Sequence, residues 1–157
     1  MAKIPRKYMA HFINTGTDGK AVYERLGKDL EEYSPSLSAQ VDTKHNILGQ
    51  SDIIISGYEK TGEVSTYYAE EGSGLFQRLQ AIIDGGLVLD DLKTTVVEVK
   101  LWEQEGSVYN ATCEQAYIEI VSYGGDTTGY QIPFKIHYTG EKVSGTFDPE
   151  SRTFTEA

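Results

Sequence analysis

The chain has 157 residues, is 39% hydrophobic and 24% charged, and carries a formal net charge of −10, which describes one soluble globular domain. That charge opposes binding to a phosphate backbone, because counterion release needs clustered Lys and Arg, and the only basic cluster is Lys3, Arg6 and Lys7. No apolar run reaches the ~20 residues of a membrane span, no secretory signal follows the basic start, and a single Cys113 excludes an intramolecular disulfide; together these predict synthesis in a reducing cytoplasm without export.

Residues 8–13 read as a first strand, closed by the turn-rich Asn14-Thr15-Gly16-Thr17-Asp18-Gly19. Weaker strand candidates follow at 21–26 and 29–33 around Gly27, although the Glu-rich 28–32 also fits one helical turn. Ser34-Pro35-Ser36 breaks the pattern, and the chain then runs extended to Tyr58. Within it, residues 42–51 are polar and turn-prone between strand-like runs, which predicts a long hairpin loop of the kind that often carries function. Strand character resumes at residues 63–68.

One helix is predicted. Leu75, Phe76, Leu79, Ile82 and Ile83 share a single apolar face, Ser73 suits the N-cap, Glu70 and Glu71 suit the dipole, and Gly85-Gly86 stops the helix. The stripe is read as packing against a sheet. Residues 94–102, 108–112 and 116–123 return to β-branched and aromatic alternation.

The last third is a β-meander. Tyr130, Ile132, Phe134, Ile136 and Tyr138 fall on one face of an extended segment, and Gln131, Pro133, Lys135, His137 and Thr139 on the other. Turns are expected at 139–142 and 148–151, before a final strand over 152–155. Without repeats, low-complexity tracts or composition shifts, the chain reads as one domain over 1–157. The fold class is mainly β with one helix, a sandwich or a partly closed barrel.

Catalytic punctuation is missing. Gly16-Thr17-Asp18-Gly19-Lys20-Ala21 has neither the spacing nor the hydroxyl of a phosphate-binding loop, and Glu71-Gly72-Ser73-Gly74 is not a nucleophile elbow. His11, His45 and His137 lie in no zinc-type spacing, and Asp126-Thr127-Thr128-Gly129 lacks the ligands of a calcium loop. Asp84, Asp90 and Asp91 have no apolar wall to raise one pKa for acid–base work. The chain is therefore expected to be no enzyme, with no metal and no cofactor. Eleven Tyr against five Phe and one Trp suit surfaces that are dry on one side and wet on the other, or plain strand propensity. Tyr58, Tyr67, Tyr68 and Tyr123 are the surface candidates.

Four segments, in order, resemble the major tail tube protein of long-tailed, non-contractile phages of Gram-positive bacteria. They are Lys3-Ile4-Pro5-Arg6-Lys7-Tyr8-Met9-Ala10-His11, Leu26-Gly27-Lys28-Asp29-Leu30-Glu31-Glu32, Thr43-Lys44-His45-Asn46-Ile47-Leu48-Gly49 and Gly124-Gly125-Asp126-Thr127-Thr128-Gly129-Tyr130-Gln131-Ile132-Pro133-Phe134. Tyr67-Tyr68-Ala69-Glu70-Glu71-Gly72 with the helix is similar to the family's middle section.

The resemblance implies a β-sandwich of two antiparallel sheets with one flanking helix. It implies homo-hexameric rings stacked into a hollow tube, a virion tail assembled in the host cytoplasm, with DNA passing in transit. Implied partners are further copies of the chain and the tape-measure, tail-tip and tail-terminator proteins. Contacts between subunits and rings are then expected from the arm 1–7 (Lys3, Ile4, Arg6), the 42–51 loop (Lys44, His45, Asn46, Ile47, Leu48) and the tail 151–157 (Phe154). Asp52, Glu59, Glu63, Glu98 and Glu119 are the acids expected to line the lumen and repel phosphates over the ~8 Å that screening allows. A reading from another class is a non-catalytic carbohydrate-binding module of a phage baseplate or cell-wall protein, which would share the sandwich and the tyrosines but would not polymerise.

Overall fold

β-Branched and aromatic alternation with Gly punctuation yields an almost wholly β chain. The computed structural model describes residues 2–16, 21–27 and 33–157. After a 3-10 turn at Arg6–Tyr8, the elements are β1 (Met9–Asn14), β2 (Tyr23–Leu26), β3 (Ser36–His45), β4 (Ser51–Val64) and α1 (Gly74–Gly85). A second 3-10 turn, Leu89–Leu92, leads into β5 (Lys93–Glu105), β6 (Val108–Ile120), β7 (Gly124–Asp126), β8 (Gly129–Gln131), β9 (Phe134–Asp148) and β10 (Thr153–Glu156). Among the described residues, eight strands join in one antiparallel sheet of order β2-β1-β5-β6-β9-β4-β3, with β10 added to β9, while β7 and β8 form a small ribbon.

Period-two alternation sends successive residues to opposite faces, and both faces are covered. Ile13, Val64, Val96, Ala116, Ile118, Phe134 and Ile136 enter one core with Leu75, Leu79 and Ile82 of the helix. Their neighbours Phe12, Val97, Val99, Ala111 and Phe147 enter a second core on the other face, with Tyr23. Strands β6 and β9 serve both layers, pairing on either side of a register shift between Glu114 and Ala116. The fold is a β-sandwich whose layers are continuous through their longest strands.

The helix forms where its apolar stripe predicts. Leu75, Leu79 and Ile82 are buried, and Gly86, at φ 57°, supplies the left-handed C-cap that a side chain resists. Glu24 of β2 also reaches its N-terminus, accepting from the Leu75 N–H at 2.8 Å and from the Ser73 hydroxyl at 2.8 Å. Ser73 Oγ in turn accepts from the Phe76 N–H. Ser73→Ala should therefore cost about 1 kcal/mol in urea unfolding, with an unchanged fold; a loss below about 0.3 kcal/mol would remove the cap from the account.

Three expectations change. The predicted 42–51 loop is mostly paired strand, with His45 opposite Ser51 and Lys44 opposite Asp52, so the turn itself spans only Asn46 to Gln50. Its polarity reflects a ribbon with both faces in water. The predicted 139–142 turn is absent: β9 runs through it, and Gly140 at φ 89° bends the strand where Glu114 accepts its N–H. Tyr130 belongs to β8 and is half exposed, so the buried alternation starts at Ile132. The candidate element at 28–32 and much of the turn at 14–19 lie outside the described residues.

Candidate assembly interface

β3 and β4 form an arm. Only Thr61 to Val64 of β4 pairs with β9; the ten registered β3–β4 pairs carry the ribbon onward, about 30 Å at the usual rise per residue. Every residue of β3 is exposed. The tip is a preorganised turn, since Asn46 Oδ1 accepts from the N–H groups of Leu48 and Gln50 and Asn46 Nδ2 donates to Gln50 Oε1. This turn presents Ile47, fully exposed, and Leu48, 77% exposed.

Register sorts the arm into two unlike faces. Leu37, Ala39 and Val41 of β3 share one face with Ile53, Ile55 and Tyr58 of β4, across a bulge at Gln40/Val41. Ile53 is 69% exposed and Leu37, Val41, Ile55 and Tyr58 are exposed too, an apolar stripe the chain itself leaves uncovered. The opposite face carries Ser38, Gln40, Asp42, Lys44, Asp52 and Glu59, with the exposed Ile54 opposite Asp42. It continues along β4 into Glu63, which lies opposite Lys135 of β9, itself opposite Glu119 of β6. His137 Nε2 lies 3.3 Å from Glu119 on this same open surface. Carboxylates outnumber the lysines along it.

A buried ionic cluster fixes the root of the arm. Lys60 Nζ, where β4 leaves the domain, donates to Glu98 Oε1 at 2.6 Å and Glu114 Oε1 at 3.0 Å, and stands 4.3 Å from the Tyr138 ring centroid. Glu114 is 2% exposed. Tyr33 and Tyr138 share a hydroxyl contact of 2.6 Å, and burial pushes both phenols up, so both stay neutral. Burial alone would raise the Glu98 carboxyl; the His11 imidazole and the Lys60 ammonium overcome it and hold the group down at about 2. His11 Nε2 is 3.5 Å from Glu98, too long to satisfy it, which leaves it a buried polar atom without a hydrogen bond.

The predicted site residues divide accordingly. Lys44, His45, Asn46, Ile47 and Leu48 all lie at the exposed arm tip. Lys3 and Ile4 are exposed, whereas the Arg6 guanidinium donates to Tyr33 O at 2.8 Å within its own chain. Phe154, expected in a reaching tail, instead packs into the second core, because 153–156 pair with β9 as β10. Asp52, Glu59, Glu63 and Glu119 share one solvent-facing surface. Glu98 sits on the opposite face, bound to Lys60, so it leaves the acidic set. Tyr58 and Tyr123 are exposed, while Tyr67 packs at the first core with its hydroxyl on Ser73. The apolar stripe was missed, although Leu37, Ala39 and Val41 stand at alternate positions.

Among solved structures, the chain is similar to one from the SPP1 tail tube, determined by solid-state NMR and cryo-EM. The TM-score is 0.65 at 16% sequence identity, over 90% of this chain and 78% of that one. The fold is thus that of a tail tube protein, a mainly β sandwich with one flanking helix. No protein-family model and no curated protein sequence matches the chain.

Proposed function

We propose that this chain is the structural subunit of a phage tail tube, with rings of six copies stacking into a hollow conduit for DNA. The observation that carries the reading is the arm. A long ribbon with an uncovered apolar face and an acidic opposite face has no use in an isolated domain, and burial of the apolar face by another copy is its simplest stabilisation. The long β3 edge gives a neighbour unpaired backbone groups to join, and closure of six sheets into one barrel removes that exposed edge. With the acidic surface turned to the lumen, the apolar stripe turns outward against the next copy. The shared tail tube fold supports the same reading, as does the four-segment resemblance, which names the tape-measure, tip and terminator proteins as further partners.

Negative-stain electron microscopy of the concentrated protein, alone and with the cognate tip complex, tests the proposal. Wild-type protein is expected to form hollow tubes or ring stacks. Ile53→Asp combined with Ile55→Asp should remain monomeric at concentrations at least 100-fold higher, with an unchanged thermal melt because neither side chain is in the core. Tubes from the double variant, or glycan binding by a strictly monomeric wild type, would defeat the reading.

A further inference from the structure

An apolar recess of about 570 Å³ opens at one end of the domain. Ile82, Ile83 and Leu87 at the end of the helix, with Leu92, make one wall. The other wall is residues 118–123, six in succession. Side chains of a strand alternate between its two faces, so consecutive residues line one hollow only where the strand presents its edge. The recess lies along an edge of β6.

Register shows that this edge is open. β5 and β6 pair only as far as Lys93 and Tyr117, because the chain ahead of Lys93 is the 3-10 turn Leu89–Leu92. β6 runs on beside β9 to the Ile120–Phe134 pair, and the Val121 N–H donates to Pro133 O at 3.0 Å. Since Val121 directs its N–H to the β9 side, the N–H and C=O of Ile120 point the other way, into the recess. Among the described residues no strand stands there to meet them. A backbone donor and acceptor open between apolar walls is the arrangement that accepts an added strand.

The geometry points to strand addition at this edge: an extended segment of a different protein pairs antiparallel with β6, on the line that β5 leaves vacant before Lys93. The pleat dictates the sequence it reads. A residue opposite Ile120 exchanges both backbone bonds with it and shares its face, where Ile83 and Leu87 also pack, so that residue is apolar. Its neighbour lies opposite Glu119 on the other face, with Asp90 and Asp91 in the adjoining turn, so it is basic. The partner segment is thus an alternation of apolar and basic residues. Among the described residues the chain supplies no such strand itself. Lys3-Ile4 runs into Pro5, which has no N–H, β3 alternates with Ser38, Gln40 and Asp42, and β10 already pairs with β9. The inference goes beyond the tube reading, since one copy holds the whole site.

The test titrates a synthetic acetyl-Ile-Lys-Val-Lys-Ile-amide into the isotope-labelled full chain, followed by NMR. Saturable binding below about 1 mM is expected, with amide shifts centred on residues 117–123 and slowed hydrogen exchange at Ile120. N-methylation of the central Val removes the N–H that meets Ile120 and should weaken binding at least about tenfold. N-methylation of a Lys, whose N–H points away from β6, should weaken it less than about threefold. Glu119 is exposed, so Glu119→Lys keeps the fold; it should weaken the Lys probe at least about fivefold and favour a probe with Glu in place of Lys. No saturable binding, equal losses from the two N-methyl probes, or shifts along β3 instead of β6 would overturn strand addition. Binding to single copies but not to assembled tubes would show that another copy fills the recess, which overturns the foreign partner and leaves the tube reading standing. Binding by a chain that never forms tubes would uphold the site and sink the tube reading alone.

Discussion

Lys60→Met is expected to remove about 3–5 kcal/mol of folding free energy, a large share of the ~5–15 kcal/mol typical of a domain. Methionine keeps the aliphatic length but takes away the one ammonium that both Glu98 and Glu114 hold. Two carboxylates are then left together without their shared cation in a site where Glu114 is 2% exposed. Urea unfolding monitored by circular dichroism gives the loss directly. The triple variant K60M/E98Q/E114Q should recover more than half of it, because removing both anions with the cation erases the imbalance rather than creating one. A K60M loss below about 1 kcal/mol would mean that water reaches the cluster and that Lys60 does not fix the arm.

The same cluster sets an acid limit. Glu98 is held at about 2 from an ordinary value of 4.5, so the folded state binds its proton more weakly than the unfolded state. Stability from this group is fully present above about pH 4.5 and is lost as pH falls through about 2. The depression corresponds to about 3 kcal/mol. In E98Q that slope should flatten, while stability above pH 5 drops because Lys60 keeps only Glu114.

Much of this architecture is legible in the sequence, and the failures share a cause. The helix was readable because Leu75, Leu79 and Ile82 repeat at helical spacing between Ser73 and Gly86, where local chemistry and tertiary packing agree. The second face of the sheet was harder, since Val96 and Val97 are adjacent yet enter different cores; alternation says that two faces exist, not that both are covered. Residues 42–51 looked like a loop because polarity usually means loop, whereas here it marks a ribbon standing clear of the domain. Gly140 looked like a turn because a glycine between polar residues fits either a turn or a bent strand, and only the pairing of β6 on both sides of it decides. Glu98 and Lys60 are far apart in sequence, so nothing local distinguished a buried acid from a solvent-facing one. A terminal Phe154 likewise gave no hint that its strand pairs at home.

Separating Glu98 from the other acids sharpens the lumen hypothesis into one surface. Asp52, Glu59, Glu63 and Glu119 occupy the same face of β4 and β6, and the arm's apolar stripe points the other way. If that face lines a conduit, carboxylates within about 8 Å of a passing phosphate keep DNA from adhering, and more distant charges are screened. Replacing all four with Lys changes the formal charge from −10 to −2 without touching the stripe or the Lys60 cluster. Tubes are therefore expected to assemble still, yet to hold duplex DNA with an affinity that falls steeply with salt, by about 0.9 in the logarithm per phosphate neutralised. Phage carrying this variant should lose infectivity at least 100-fold through stalled DNA exit, with normal tails by electron microscopy. Restoring Glu119 alone should recover little, because Glu63, Lys135 and Glu119 lie in one cross-strand row and the remaining lysines still meet the DNA. Normal infectivity in the fourfold variant would sink the idea, leaving the acids on that face as solubility charge.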